Sequence, residues 1–210
     1  MRRVTGLGWD RGGAGEGLRV YEVELKFPLV NVAAVEAALG RLSAKARPPI
    51  DQADIYFAHP SRDFAHTDEA LRLRREGDAV AITWKGPRLG QEAKTRREIE
   101  LPLAGSAVAA GAEPTLEAWA ELLEALGFRR VWEVLKRRRR SEVSWQGSTI
   151  EVAIDTVTGL GDFLELEILA SAAEIPLALA ALQSLAAEIG LGQPERRSYL
   201  EMLLAARPPD

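Results

Sequence analysis

Tyr21-Glu22-Val23-Glu24-Leu25-Lys26-Phe27 is the stretch on which the fold turns. Successive side chains of a strand point to opposite faces, so Glu22, Glu24 and Lys26 share one face while Val23, Leu25 and Phe27 share the other. The design recurs. Arg72 and Arg74 alternate with Leu71 and Leu73, Lys85 has the parity opposite to Ile82 and Trp84, and Arg96, Glu98 and Glu100 alternate with Ile99 and Leu101. Asp155 opposes Val152 and Ile154, and Glu165 and Glu167 alternate with Leu164, Leu166 and Ile168. A wet sheet face is the usual cause of such alternation. Here, however, the charges are segregated: acidic at 22–24 and 165–167, basic at 72–74 and 136–140. Like charges two residues apart on one face repel unless something compensates them.

The compensation expected is a closed or nearly closed barrel, its apolar parity packed outward on helices and its charged parity turned inward around a polyanion and metal ions. About eight strands leave an interior wide enough for side chains or one small ligand. Carboxylates suit hard cations such as Mg²⁺, and Lys and Arg suit phosphate oxygens. Each buried ion left unpaired would cost several kcal/mol, so such an interior needs opposite-sign neighbours and a guest.

Outward from the first strand, Asn31 is placed to cap a helix carrying Val32, Val35, Leu39 and Leu42 at helical spacing. Strands are expected at 52–57, 70–76, 79–85 and 94–101, then a helix at 115–126 with Leu116, Trp119, Leu122, Leu123 and Leu126 along one side. Strands at 130–140, 148–156 and 162–169 follow, with helices at 176–189 and 198–205. Connections this short favour antiparallel pairing. The fold class is therefore α+β: an eight-stranded antiparallel β-barrel with helices outside. One domain is expected over 18–210, after a glycine-rich flexible leader at 1–17.

Composition narrows the function. With 47% hydrophobic residues among 210, a sizeable core can form. No 18-residue apolar run and no apolar segment behind Met1-Arg2-Arg3 is present, so a cytoplasmic protein without membrane attachment is expected. Zero cysteines remove disulfides, thiolate metal sites and thiol nucleophiles. Lys plus Arg at 27 against Asp plus Glu at 31 gives net −4, which argues against a nucleic-acid partner. His59 and His66 lack helical zinc spacing, and no Gly-x-Ser-x-Gly occurs. Trp84, Trp119 and Trp132 read as core, and Trp145, near a turn, reads as packing or as a cover for a base. The oligomeric state is left open, with a homodimer as one form.

Glu22-x-Glu24-x-Lys26, Leu71-Arg72-Leu73-Arg74, Thr83-Trp84-Lys85-Gly86, Arg97-Glu98-x-Glu100, Lys136-x-Arg138, Ile154-Asp155 and Leu164-Glu165-x-Glu167 together resemble the CYTH superfamily, the triphosphate tunnel metalloenzymes. The resemblance implies a metal-dependent enzyme using Mg²⁺ or Mn²⁺ on a small-molecule triphosphate, ATP or inorganic triphosphate. It gives Glu22, Glu24, Glu98, Glu100, Asp155, Glu165 and Glu167 as metal ligands, and Arg72, Arg74, Lys85, Arg96, Lys136 and Arg138 as substrate-binding. Glu22, Glu24, Lys26 and Asp155 are implied as catalytic. Asp63, the run Thr67 to Arg74, Gly159-Leu160-Gly161 and Ser198-Tyr199-Leu200-Glu201 look most like the class IV adenylate cyclase branch. That branch implies conversion of ATP to cyclic AMP and pyrophosphate. Triphosphate hydrolysis, or nucleotide or polyphosphate binding without catalysis, are the alternatives.

Overall fold

The computed structural model describes residues 20–89, 93–104 and 115–207. The leader at 1–17 and nearly all of the Ala/Gly stretch at 104–113 lie outside them. The chain begins with β1 (Val20–Pro28), α1 (Val32–Arg41), the two-residue β2 (Lys45–Ala46) and β3 (Ile50–Ala58). One turn of helix, α2 (Phe64–Thr67), precedes β4 (Ala70–Glu76), β5 (Ala79–Lys85) and β6 (Glu98–Ala104). Then come α3 (Leu116–Ala125), β7 (Arg129–Trp145), β8 (Ser148–Val157), β9 (Gly161–Ser171), α4 (Ile175–Ile189) and α5 (Tyr199–Ala206). Among the described residues, no helix is long and apolar enough to cross a membrane.

Eight strands form one curled antiparallel sheet in the order β1-β9-β8-β7-β3-β4-β5-β6, with β2 beside β7. The segment just before β6 draws the two ends together. Lys94 N donates to Glu24 O at 3.1 Å and Arg96 N to Glu22 O at 3.4 Å. The strand expected at 94–101 is thus two pieces, one pairing with β1 and one beginning at Glu98.

The outward faces carry the core. Val23, Leu25, Phe27, Val152, Ile154, Leu164 and Leu166 pack under Val35 and Leu39 of α1 and Leu182 and Leu185 of α4. Ile55, Phe57, Leu71, Leu73 and Val80 pack under Leu116, Ala120 and Leu123 of α3. Each such side chain contributes about 1.5–3 kcal/mol when fully buried. A one-residue slip of register would turn the whole apolar set inward, so this packing also fixes which charges face the interior.

Three details depart from the sequence reading. Leu122 of α3 and its C-cap Leu126 are exposed, because the helix lies on the sheet along Leu116, Ala120 and Leu123. β7 runs to Trp145, where Gln146 and Gly147, both at positive φ, make the tight turn into β8. Neither β2 nor α2 is long enough to show a period. α2 is set by its cap, Asp63, whose side chain accepts from Ala65 N at 3.0 Å and His66 N at 3.2 Å.

Candidate active site

The inward parity surrounds a cavity of about 730 Å³. β1 contributes Glu22, Glu24 and Lys26, β4 Arg72 and Arg74, β5 Lys85, and β6 Glu98. Arg96 enters from the closing segment, Lys136 and Arg138 from β7, and Glu165 and Glu167 from β9. Arg96 is buried and Arg97 exposed, which resolves their order along the strand. The basic run resolves likewise. Lys136, Arg138 and Arg140 take the inward parity, while Arg139 pairs outside with Glu36 and Arg137 lies 3.9 Å from Asp51.

Asp155 and Glu100, expected with this set, do not line the cavity. Asp155 is fully buried behind the wall. Arg138 donates to it from Nε at 2.7 Å and Nη2 at 2.5 Å, the Tyr199 hydroxyl donates at 3.0 Å, and Lys136 Nζ lies 3.5 Å away. Both oxygens are engaged in this way, so in this structure Asp155 orients Arg138 and Lys136. Glu100 lies toward the rim, its side chain 53% exposed, accepting from Thr83 Oγ1 at 2.8 Å.

Asp54, Lys94 and Tyr199 are site residues that the sequence reading did not assign. Asp54 is buried and takes a two-pronged contact from Arg74 at 2.6 and 2.7 Å, with Arg72 at 3.6 Å. Burial works against its charge, but Arg74 and Arg72 hold it well below the usual carboxylate range. Parity would have found it, since Gln52, Asp54 and Tyr56 alternate with Ala53, Ile55 and Phe57. Lys94 reaches Glu24 at 2.7 Å and shares the parity of Arg96. Tyr199 places its ring 4.1 Å from Lys26 Nζ and 5.1 Å from Lys136 Nζ, an electrostatically favourable arrangement for both ammonium groups.

The carboxylates divide sharply. Burial opposes the charge of Glu165, but Arg138, Lys136, Lys94 and Lys26 hold it well below its ordinary range. Glu98 pairs with Lys85, which lies 3.7 Å from Glu22. Glu167 has no ion-pair partner among the described residues. Its strand neighbours in register are Glu24 on β1 and Glu151 on β8. Burial, then Glu22 and Glu24, push it up to about 9. The ammonium groups show the matching strain: burial, then Lys94, lowers Lys26 to about 7, and burial, then Arg138, lowers Lys136 to about 8.

Glu22 and Glu24 have Lys85 and Lys94 beside them, whereas Glu167, set against both, has no cation of its own among the described residues, an arrangement that fits a divalent cation. Among the described residues, no three acidic or imidazole side chains gather closely enough to hold a metal by themselves. One or two carboxylates, with water and substrate oxygens completing the shell, is the mode Mg²⁺ adopts at phosphate sites.

At the end nearest α2 and α5 the cavity is lined by His59, Phe64, Leu200 and Leu204 among charged side chains that include Arg62, Asp68, Arg129 and Glu201. His59 sits in the turn there, its Nδ1 accepting from Ser61 N and Arg62 N at 3.1 Å each. Trp145 is far from this mouth and packs in the core, donating from Nε1 to Ser184 Oγ at 3.3 Å.

A CYTH domain profile matches residues 20–199. A Methanocaldococcus jannaschii protein named "putative adenylate cyclase" is 36% identical over 148 residues, 70% of this chain and 77% of its own. The PH1819 protein of Pyrococcus horikoshii, a solved structure, is 37% identical with TM-score 0.74, over 89% of this chain and 99% of that one. A Hippeastrum protein described as a "putative adenylyl cyclase" with a dominant triphosphatase activity shares the fold at 17% identity and TM-score 0.59, over 90% and 97%.

Proposed function

The chain belongs to the CYTH family, which binds triphosphates, depends on a metal ion and is commonly enzymatic, and from that premise we propose that it converts ATP to cyclic AMP and pyrophosphate. The observation that carries this reading is the juxtaposition in one cavity of Glu167, crowded by Glu22 and Glu24, with buried cations and a mouth that includes Phe64, Leu200 and Leu204. Arg72, Arg74, Lys136 and Arg138 meet the phosphate oxygens, the arginines through the N–H groups that Asp54, Asp155 and Glu165 leave free and Lys as a point charge. Lys85 and Arg96 add further donors, and Lys26 supports them from below. One or two of Glu22, Glu24 and Glu167, with water and substrate oxygens, would hold Mg²⁺ or Mn²⁺. A bound cation would neutralise phosphate charge and acidify the ribose 3′-hydroxyl.

The chain's own work is placement. Asp54 and Asp155 keep three arginines in fixed orientation, so the donors are set before substrate arrives and need little reorganisation as charge develops on the leaving pyrophosphate. The mouth gives the nucleoside a place that inorganic triphosphate would leave empty. Attack by the 3′-hydroxyl on the α-phosphorus forms the cyclic ester and breaks the bond to pyrophosphate. Absence of cysteine suits a reducing cytoplasm. The inward or paired state of the 136–140 run supports a small-molecule partner over nucleic acid.

Hydrolysis is the second reading, because water at the terminal phosphorus would use the same donors, and the Hippeastrum protein shows that a chain of this fold named for cyclisation can be described by its triphosphatase activity. Incubation with ATP and with inorganic triphosphate under Mg²⁺ and Mn²⁺ separates them. Cyclic AMP with pyrophosphate is expected. Orthophosphate in its place would establish hydrolysis, and binding without turnover would leave a nucleotide or polyphosphate module.

A further inference from the structure

The cavity stops short of the rim at the end of the barrel away from α5. Its lining reaches Arg74, Arg138 and Glu167 and goes no further along their strands. Two residues beyond, on the same inward parity, stand Glu76 of β4 and Arg140 of β7, with Gln52 of β3 and Glu151 of β8 alongside. These four bind one another. Arg140 donates from Nη1 to Glu76 Oε1 at 2.6 Å and from Nη2 to Oε2 at 2.8 Å. Its Nε lies 3.3 Å from Glu151, and Gln52 Nε2 donates to Glu76. The network therefore spans four adjacent strands of the inner wall, and a guanidinium locked to a carboxylate by two parallel bonds is among the most directional side-chain contacts available.

Position and charge both matter here. Arg140 and Glu76 are 21% and 27% exposed, so they touch solvent on one side while the cavity ends on the other. Glu76 and Glu151 outnumber Arg140, whereas the opposite mouth carries Arg62, Arg88 and Arg129 among Asp63, Asp68, Glu69 and Glu201. A polyanion that enters at the mouth meets a bolted, net-acidic barrier at the other end.

We infer that the Arg140–Glu76 contact, braced by Gln52 and Glu151, is an end stop that makes the phosphate channel blind. Substrates enter only by a free terminal phosphate, through the mouth beside α5, and no phosphate chain threads the barrel. This rests on the reading of the cavity as a triphosphate site, and deepens it: the substrate class is phosphate chains with an unblocked end.

The test is loading. The full-length protein is mixed with linear inorganic polyphosphates of defined lengths at moderate salt, and the mass of the saturated complex is read by sedimentation. One protein per free chain end is expected whatever the length, with no binding to chains capped at both ends by a bulky phosphoramidate. Glu76→Ala and Arg140→Ala should each let chains thread, so that loading grows with length. The two substitutions change charge in opposite senses. A mere field effect would move their affinities apart and leave loading at one per end, which would overturn the stop. Wild-type loading that grows with length, or binding of doubly capped chains, would overturn it too. Arg140→Lys keeps the charge but loses the fork and serves if truncation unfolds the barrel; loading must rise there as well. Failure of wild type to bind inorganic triphosphate defeats the cavity reading and the stop together, whereas triphosphate binding with unaltered loading in the variants defeats the stop alone.

Discussion

Two walls of one barrel treat their charges in opposite ways. Along β3, β4, β7 and β8 each buried carboxylate is matched: Asp54 to Arg74 and Arg72, Asp155 to Arg138, Lys136 and Tyr199. Along β1 and β9 the carboxylates crowd, and Glu167 faces Glu24 across the strand pair with no cation of its own. Matched pairs recover little net stability, since desolvation offsets most of the attraction, but they fix where a guanidinium points. Crowded carboxylates keep repulsion in the empty protein that an arriving cation relieves. One wall fixes the direction of its cations, and the other, in the function proposed above, takes the metal ion, a common place for function to oppose stability.

The largest expected effect lies on the crowded wall. Glu24→Ala should lower metal-dependent turnover about a thousandfold, the scale of losing one preorganised electrostatic element, while most metal-free triphosphate binding, read by calorimetry, survives. Unchanged turnover would break the division between the walls. Next, on the matched wall, Asp155→Ala leaves the buried Lys136 without its ion-pair partner and Arg138 with Glu165 alone. It should destabilise the fold by about 3–5 kcal/mol, seen as a Tm lower by roughly 10 °C, and a Tm within error of wild type would show that the pairing does not organise that wall.

A smaller effect is the pH dependence of the empty protein. Folding raises Glu167 from its ordinary 4.5 to about 9, through burial and then Glu22 and Glu24. The folded state binds that proton more tightly, so its contribution is fully present below the ordinary value and is lost as pH rises toward the folded one. Metal-free Tm should therefore fall between about pH 5 and pH 9, less so in Glu167→Gln, and Mg²⁺ should restore it at the alkaline end. Equal slopes in the two proteins would remove Glu167 as the strained group. The smallest effect lies outside the barrel. Arg130→Ala removes exposed contacts to Glu117 and Glu124 and should cost less than about 1 kcal/mol, confirming by contrast that the interior pairs differ in kind.

Alternation in 21–27 was enough to place Val23 and Leu25 outward and Glu22 and Glu24 inward, because a strand's period is two and its apolar face must be covered. The same logic loses its grip at 136–140, where five basic residues hide the parity that pairing with Gln52 of β3 and Asp155 of β8 makes plain. Asp155 illustrates a different limit. Its parity was readable, but that Arg138 and Tyr199 occupy both its oxygens depends on a partner 44 residues away in α5. Lys94 was hidden by position: it precedes β6 and earns its place by pairing with β1, a closure no local pattern announces. For α3, spacing identified a helix but not its azimuth, since Leu122 and Leu126 fit the same period as the leucines that are buried.

Crystals of the protein grown with Mn²⁺ and a non-hydrolysable ATP analogue would test the meeting of the two walls most directly. Anomalous density is predicted about 2.1 Å from oxygens of Glu24 or Glu167, with the analogue's phosphates against Arg72, Lys136 and Arg138 and its base in the mouth near Phe64 and Leu200. Phosphates bound outside the barrel, or manganese held without any carboxylate of β1 or β9, would contradict it.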